Sequence, residues 1–494
     1  MRSTWRRTWW APALVGLLAA SCSASDLEVG RSGSTTKPPS PTTTSSTTTT
    51  TTASAPSTGT AGADGVGDPY YPQLGNGGYD VVTYDIAIDW SADQGTVDAT
   101  TTITLVPTVD LDTFNLDLEG LTVERVTVDG AEAPTTRSGR EMTVDPAEVL
   151  VEGEPVTVVV DYGGAPEPIQ VGTDVFRVGW HSDGRGAYVV SEPAGAASWF
   201  PSNDHPTDKA TFRFAVTVPS DLGAIANGRQ VSVDPGADGR TTYVYETADP
   251  MATYLASVVI GDLVFVEEQT PGGLLLRSAY PPRLAEAAAT DFADTARMVE
   301  VFEQQFGPYP FEVYGHVVVD EVLGFALENQ TLSLFGSDLV TGRGTIDAIV
   351  AHELAHQWFG DSVSPATWKD IWLNEGFATY AEWVWAAESG GRSIEASAAA
   401  THARADFGVP PGDPGPDELF QGTVYLRGGL ALYALSQEIG DEAFGRVLRT
   451  WVERHGGATA STSDLQSLAE EISGQDLAGL FDAWVYGASL PPLP

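Results

Sequence analysis

Cysteine is nearly absent from this chain: Cys22 is the only one in 494 residues. No intrachain disulfide can form, and a zinc site built from several thiolates is excluded. Basic residues are also scarce, with 25 Lys and Arg against 67 Asp and Glu, a formal net charge of −42. A surface of that sign repels phosphate backbones, which argues against a nucleic-acid partner and favours encounter with cationic groups such as the ammonium ends of peptides. Solubility is the plainer reason for such a charge excess. A long apolar run is missing too. The longest, Trp9 to Ala20, is too short to span a bilayer.

That short run has an informative setting. Arg2, Arg6 and Arg7 precede it, and Leu18-Ala19-Ala20-Ser21-Cys22 follows with small residues leading up to the cysteine. A basic start, an apolar stretch and a small-residue end form the layout of a secretory signal peptide, expected over residues 1–22. The segment also resembles a bacterial lipoprotein signal, in which Cys22 becomes the lipid-bearing first residue of the exported protein, anchored to the outer face of the cytoplasmic membrane. Ala19 departs from the Leu usual three places before such a cysteine. A plain signal peptide with an incidental cysteine is the alternative, and Arg6-Arg7 leaves the twin-arginine export route open beside the general one.

Residues 23–68 read as a disordered linker. Pro38, Pro39 and Pro41 lead into a run from Thr42 to Thr52 that contains only Thr and Ser, a composition unable to build a core. Beyond it the pattern is strand-like. Tyr84-Asp85-Ile86-Ala87-Ile88-Asp89-Trp90 alternates at period two, as do Thr102 to Val106 and Phe212 to Val218. Residues 69–268 are therefore expected to form an antiparallel β-rich domain. From 269 to 494 the periodicity turns helical, over Ala285 to Phe306, Ile346 to Phe359, Trp372 to Ala387, Arg427 to Glu438 and Leu465 to Tyr486. Short strands are expected at Val317-Val318-Val319 and Leu332 to Phe335. The fold class is α+β and multidomain: β-rich first, then mainly helical.

The chemistry concentrates in the second part. His352-Glu353-Leu354-Ala355-His356 is an H-E-x-x-H pattern within helical spacing. Residues four apart share a helix face, so both imidazoles reach a single ion, while Glu353 lies near the ion without binding it. Catalytic zinc typically takes a carboxylate as third ligand and keeps an open position. Glu375 follows His356 after 18 intervening residues, at the start of a second helix.

With those residues the sequence resembles the aminopeptidase N family of gluzincin metallopeptidases, whose signature is H-E-x-x-H, eighteen residues, then Glu. His356-Gln357-Trp358-Phe359-Gly360-Asp361 and Trp372-Leu373-Asn374-Glu375-Gly376-Phe377-Ala378 are similar to its extended signature. So are Phe306-Gly307-Pro308-Tyr309-Pro310, Trp199-Phe200-Pro201 and Asp208-Lys209-Ala210-Thr211-Phe212. The resemblance runs from about Tyr79 to Pro494 and implies a thermolysin-like catalytic domain that removes residues from the N-termini of peptides.

Carried over residue by residue, it implies that one Zn2+ is bound by His352, His356 and Glu375, and acidifies a water. Glu353 would take that water's proton and pass one to the leaving amine. Tyr425, in Val424-Tyr425-Leu426-Arg427-Gly428-Gly429, would hydrogen-bond the oxyanion of the tetrahedral intermediate; the alternative is an ordinary half-buried tyrosine. Phe325-Ala326-Leu327-Glu328-Asn329 resembles the family's G-A-M-E-N segment, so Glu328 would bind the substrate's α-ammonium. Glu192, in Ser191-Glu192-Pro193, would be the second amine-binding carboxylate, with a surface loop Glu as the competing reading.

Three departures stand out. Phe325 replaces the first Gly of G-A-M-E-N, and Val190 stands where many relatives have a Gln lining the first side-chain pocket. The sequence also stops soon after the helical part, where many relatives continue into a further helical domain, so a more open cleft is expected. An open cleft keeps a zinc metallo-endopeptidase as an alternative; a surface-binding lipoprotein that retains only the scaffold is another. His181, His205, His316, His402 and His455 lie outside ligand spacing. Asp361 and Asp370 read equally as partners of the zinc imidazoles and as caps or surface charges.

Overall fold

The computed structural model describes residues 58–171, 176–404 and 408–494. Cys22 and the Thr/Ser run therefore lie outside the described residues. No helix among them is long and apolar enough to cross a membrane.

The alternating segments form one large twisted sheet. Its strands run in the order Arg229–Pro235, Arg240–Glu246, Lys209–Pro219, Tyr79–Ser91, Thr96–Pro107, Val156–Gly164, Thr122–Val128 and Ala131–Glu132. The first-paired strands Tyr79–Ser91 and Thr96–Pro107 are antiparallel, whereas Tyr79–Ser91 and Lys209–Pro219 run parallel. In Tyr79–Ser91, Tyr84, Ile86, Ile88 and Trp90 are buried while Ala87 is exposed, the period-two pattern of a sheet with one covered face. A four-stranded sheet, in the order Gly179–Ser182, Ala187–Val190, Val258–Gly261, Gly223–Ala226, carries Glu192 just beyond the end of its second strand.

Two expected boundaries move. Residues 58–68 are ordered, against the linker expected through 68. Thr60–Ala61 pairs in parallel with Leu111–Asp117. Asp68 is buried, its carboxylate accepting from the backbone N–H groups of Tyr70 (2.8 Å), Tyr71 (2.9 Å) and Trp368 (2.8 Å) and lying 3.3 Å from His205 Nε2. Burial opposes its ionisation, but these hydrogen bonds hold its carboxyl below the usual range. Trp368 lies in the helical part and His205 in the β part, so Asp68 fastens the two together. Composition could not reveal this, because the partners lie far away in sequence.

The second correction concerns the break at 268/269, which falls inside the strand Val264–Gln269. That strand pairs with Leu275–Tyr280 and so belongs to the sheet of the second part, whose order is Val264–Gln269, Leu275–Tyr280, His316–Val319, Ser333–Gly336, Ala326–Leu327. Ala326–Leu327 is the edge strand, and it leads directly to Glu328.

The helices of this part are α1 (Ala285–Asp291), α2 (Thr295–Phe306), α3 (Asp347–His356), α4 (Trp372–Glu388), α5 (Ile394–His402), α6 (Gly428–Ile439), α7 (Asp441–His455), α8 (Thr462–Ser473) and α9 (Ala478–Trp484). Two segments expected as single helices are each divided, one between α1 and α2 and one after Ser473, where Gly474 adopts a left-handed φ of 72° that ends α8. Helix α4 is buried on nearly every side from Trp372 to Trp385, which makes it the central helix of the second part.

One close approach fixes the site. A Cβ added at Gly376 would lie 2.9 Å from the backbone of Gly428, and one added at Gly428 2.9 Å from Gly376 Cα. Glycine at both positions lets α4 and the start of α6 meet backbone to backbone. The π-helical turn Thr423–Arg427 precedes Gly428, so this contact delivers Tyr425 beside the residues of α3 and α4.

Candidate metal centre and amine pocket

Helix α3 presents His352 and His356 one turn apart on one face, and α4 brings Glu375 from its first turn. His352 Nε2 lies 3.1 Å and His356 Nε2 3.5 Å from Glu375 Oε2. One ligand atom from each of the three falls within 4.8 Å of the others.

The far sides of both rings are already engaged. His352 Nδ1 donates to Glu382 Oε1 at 2.8 Å, and His356 Nδ1 donates to the Phe359 carbonyl at 3.1 Å. With Nδ1 engaged outward, each ring turns its Nε2 toward the centre, facing a carboxylate oxygen. Ring nitrogens and carboxylate hold together in that buried space through a cation between them, a proton in the metal-free site or a metal ion in its place. Two imidazole nitrogens and one carboxylate oxygen form a donor set suited to zinc with a position left open.

The charges respond accordingly. Burial resists protonation of His352, but Glu375 and Glu382 outweigh it and hold the imidazole well above its ordinary value. His356 likewise rises to about 9 against burial, through Glu328 and Glu375. Glu375, opposed by burial but drawn down by His356 and His352, falls to about 2 and stays ionised.

Glu353 is buried beside this centre, and its Oε2 has no hydrogen-bond partner. Burial pushes its carboxyl up to about 8 despite the pull of His352 and His356. A buried carboxyl with a free oxygen beside a cation-holding centre is placed to take up a proton and return it.

Tyr425 stacks on His352 with ring centroids 5.9 Å apart. Burial, reinforced by Glu375, Glu192 and Glu328, raises its phenol well above the ordinary value, so the hydroxyl remains a donor.

A second carboxylate group adjoins the first. Oxygens of Glu192, Glu328 and Glu375 lie within 4.8 Å of one another, all three residues buried. Glu192 Oε1 and Glu328 Oε1 have no hydrogen-bond partner. Burial raises both carboxyls, and neighbouring carboxylates add to the shift of each. Glu192 comes from the β part and Glu328 from the segment after the edge strand, so the pocket exists only where the two parts meet. Two buried carboxyls that oppose each other's ionisation are relieved by a cation that both can accept hydrogen bonds from, and an ammonium group meets that need. Val190 is buried, two residues from Glu192.

Every expected site residue in the described chain thus converges: His352, Glu353, His356, Glu375, Tyr425, Glu328 and Glu192. Sequence reasoning missed Glu382, the partner of His352. Its signal was available as spacing, since Glu382 lies seven residues after Glu375, two turns along one face of α4. Gln357 and Arg427 were also missed as supporting residues. Asp361 accepts from Gln357 Nε2 at 2.7 Å. Asp370 accepts from Thr462 N–H at 3.0 Å, Thr462 Oγ1 at 2.7 Å and Thr367 Oγ1 at 3.0 Å, tying the chain before α4 to α8.

A two-part chain with a β-rich first unit and a helical second unit bearing this His-His-Glu centre has the architecture of a gluzincin metallopeptidase. Comparison with known proteins makes the assignment specific. The model of the peptidase family M1 domain matches residues 290–484, and that of the peptidase M1 N-terminal domain matches residues 81–255. An M1 zinc metallopeptidase from Deinococcus radiodurans superposes with a TM-score of 0.80 at 34% sequence identity, covering 87% of this chain and 98% of that one. Aminopeptidase N from Streptomyces lividans is 27% identical over 447 residues, covering 83% of this chain and 50% of its own length. Aminopeptidase 2 from Candida albicans is 27% identical over 345 residues, 64% of this chain and 37% of its own. The chain belongs to peptidase family M1, and it spans half or less of the length of these two curated relatives.

Proposed function

We propose that this protein is a zinc-dependent aminopeptidase that hydrolyses the first peptide bond of substrates with a free N-terminus. The observation that carries the reading is the shared Glu375: the buried His-His-Glu triad and the Glu192–Glu328–Glu375 carboxylate group adjoin at one residue. A cation-holding centre therefore sits a fixed, short distance from a pocket for an ammonium, which is how an exopeptidase counts from the chain end.

In this reading His352, His356 and Glu375 hold the zinc. Bound there, the ion supplies Lewis acidity that polarises the scissile carbonyl and acidifies a water. Glu192 and Glu328 accept hydrogen bonds from the substrate's α-ammonium and thereby set which peptide bond reaches Glu353. Glu353 takes the proton from the attacking water and delivers one to the departing amine. Tyr425 donates its hydroxyl to the oxygen that gains negative charge as the carbonyl carbon becomes tetrahedral. Buried Val190 gives the pocket of the first side chain an apolar wall, which favours apolar N-terminal residues. In support, a mutant of the Deinococcus radiodurans protein was solved bound to a Tyr-Ser-Ala substrate.

The reading extends to location. Arg2, Arg6 and Arg7, the apolar run and the small residues before Cys22 support export and lipid attachment at Cys22, with residues 23–57 as a tether on the outer face of the cytoplasmic membrane. Mass analysis of the mature N-terminus tests this: a diacylglyceryl-modified Cys22 is expected, and an unmodified start further along the chain refutes the anchor.

Free and N-acetylated aminoacyl reporter peptides, assayed with and without a zinc chelator, test the activity. Chelator-sensitive cleavage of only the free-amine set is expected. Cleavage of both sets would favour an endopeptidase, and cleavage of neither would sink the enzymatic reading.

A further inference from the structure

Phe325 stands at the open edge of the catalytic sheet, and a run of aromatic rings from the β part meets it there. Tyr188 stacks on His181 with centroids 4.9 Å apart and planes within 2°; His181 stacks on Phe176 at 5.2 Å; Phe176 meets Phe325 edge to face at 5.0 Å and 86°. His181 Nε2 donates to the Arg177 carbonyl at 2.9 Å, which fixes the middle ring. Burial lowers the imidazole's pKa, so it stays neutral and packs as an aromatic. Tyr188 and Phe325 pack against the core on one side and are only partly covered on the other. Phe176 is 36% exposed, Phe325 and Tyr188 are half-buried, and Val322, three residues before Phe325, is 76% exposed. Large apolar side chains left exposed together are a feature of a contact site.

The edge strand gives the wall a direction. Gly336 N–H donates to the Phe325 carbonyl at 3.3 Å, and Leu327 pairs with Leu334. By the alternation of an antiparallel pair, the N–H and C=O of the intervening Ala326 point away from the sheet, toward its open edge. A peptide whose ammonium is held at Glu328 and which extends along that edge runs antiparallel to Ala326–Leu327. Phe325 lies three residues from Glu328, roughly 10 Å at about 3.3 Å per residue. It therefore flanks the substrate residues that follow the scissile bond rather than the N-terminal residue itself.

We infer that Phe325 and Phe176, backed by His181 and Tyr188, form an aromatic subsite for a large apolar or aromatic side chain at the second or third residue of the substrate. The inference rests on the aminopeptidase reading and adds to it a preference downstream of the cleaved bond. It follows from this chain's own residues, since Phe325 replaces a residue that would carry no side chain. The rings are held by stacking before substrate arrives, so little ordering cost offsets the contact. The competing role for these rings is to glue the two parts together, which would affect stability and leave selectivity untouched.

The test compares kcat/KM for Leu-Phe-Ala, Leu-Ala-Phe and Leu-Gly-Gly in the wild type, Phe325→Gly and Phe176→Ala, with thermal midpoints measured alongside. The wild type is expected to prefer phenylalanine over glycine by about tenfold or more at one of the two positions. The ratio should collapse to about twofold in Phe325→Gly and fall partway in Phe176→Ala, while Phe325→Leu keeps most of it. A wild type that hydrolyses all three without preference, or a preference unchanged in Phe325→Gly and Phe176→Ala, overturns the subsite while leaving the aminopeptidase reading intact. Hydrolysis of Leu-anilide by the wild type guards that reading separately, and its absence overturns both.

Discussion

Gln357 donates from Nε2 to the backbone carbonyl of Glu328 at 3.0 Å. The residue directly after the second histidine thus grips the segment that carries one wall of the amine pocket. Its Oε1 accepts from Thr331 N–H at 2.7 Å and from Tyr309 Oη at 3.1 Å, and its Nε2 also donates to Asp361 at 2.7 Å. Thr331 is held at a φ of 67°, a conformation unfavourable for a β-branched residue, and its Oγ1 accepts from Gly228 N–H of the β part at 2.7 Å. Glu328 is therefore placed from the zinc helix on one side and from the β part on the other.

Replacing Gln357 by Leu strips all four hydrogen bonds and leaves buried partners unsatisfied, at about 1–3 kcal/mol each where no relaxation occurs. Expected is a rise in KM for free-amine peptides of roughly tenfold or more, with bound zinc unchanged, because the amine anchor shifts while the ligands stay. Steady-state kinetics and metal analysis read the two separately. Unchanged KM at full zinc content would contradict the positioning role.

Glu382 orients His352 through its Nδ1. The variant Glu382→Ala is expected to weaken zinc affinity by roughly 10–100-fold, the usual cost of removing the partner of a metal-binding imidazole. Competition with a chelator of known affinity measures it, and an affinity equal to wild type would remove Glu382 from the site.

Arg427 is fully buried at the end of the π-helical turn. Its guanidinium donates to the carbonyls of Trp484 (2.8 Å), Ala483 (3.0 Å), Gly487 (2.6 Å) and Ser489 (3.3 Å). It draws the C-terminal segment onto the turn that presents Tyr425. Arg427→Met should destabilise the fold by about 2–4 kcal/mol and lower kcat more than it raises KM, since Tyr425 acts at the oxyanion. Chemical denaturation and kinetics check both parts, and a loss confined to KM would disconnect Arg427 from Tyr425.

His316 stacks on Phe292 with centroids 4.2 Å apart and lies against Tyr314 and Phe335. Burial lowers its pKa to about 3 from an ordinary 6.5. Because the folded value is depressed, the unfolded chain binds the proton first: between pH 6.5 and 3 the unfolded state gains a proton that the folded state refuses. Stability attributable to His316 is complete above the unfolded value and declines as pH falls, by up to about 1.4 kcal/mol per unit. His316→Phe should flatten this acid limb. Denaturation midpoints at pH 7, 5.5 and 4.5 compare the two proteins, and parallel curves would refute the assignment.

What could be read before the structure was local chemistry. Helical spacing put His352 and His356 on one face, because a short span of helix has one geometry available to it, while Glu375 was marked by the spacing of the signature the sequence resembles. Period-two burial in Tyr79–Ser91 and Lys209–Pro219 was legible for the same reason. The helices were legible in place but not in length, since α1 and α2 are separate helices and Gly474 ends α8 before α9 begins.

Tertiary structure decided the rest. Only folding brings Glu192 from the β part against Glu328 and Glu375, and no pattern in Ser191-Glu192-Pro193 distinguishes it from a surface loop. Asp68 was read as linker because its partners, His205 and Trp368, lie 137 and 300 residues away. The meeting of Gly376 with Gly428, which carries Tyr425 to the centre, and the aromatic run that ends at Phe325 are likewise contacts between distant segments. The sequence by itself determined the two histidine ligands and their helix, because those depend on backbone periodicity over a few turns. The amine pocket and the wall beside it were decided only by the packing of two units, because long-range contacts depend on how whole surfaces fit together.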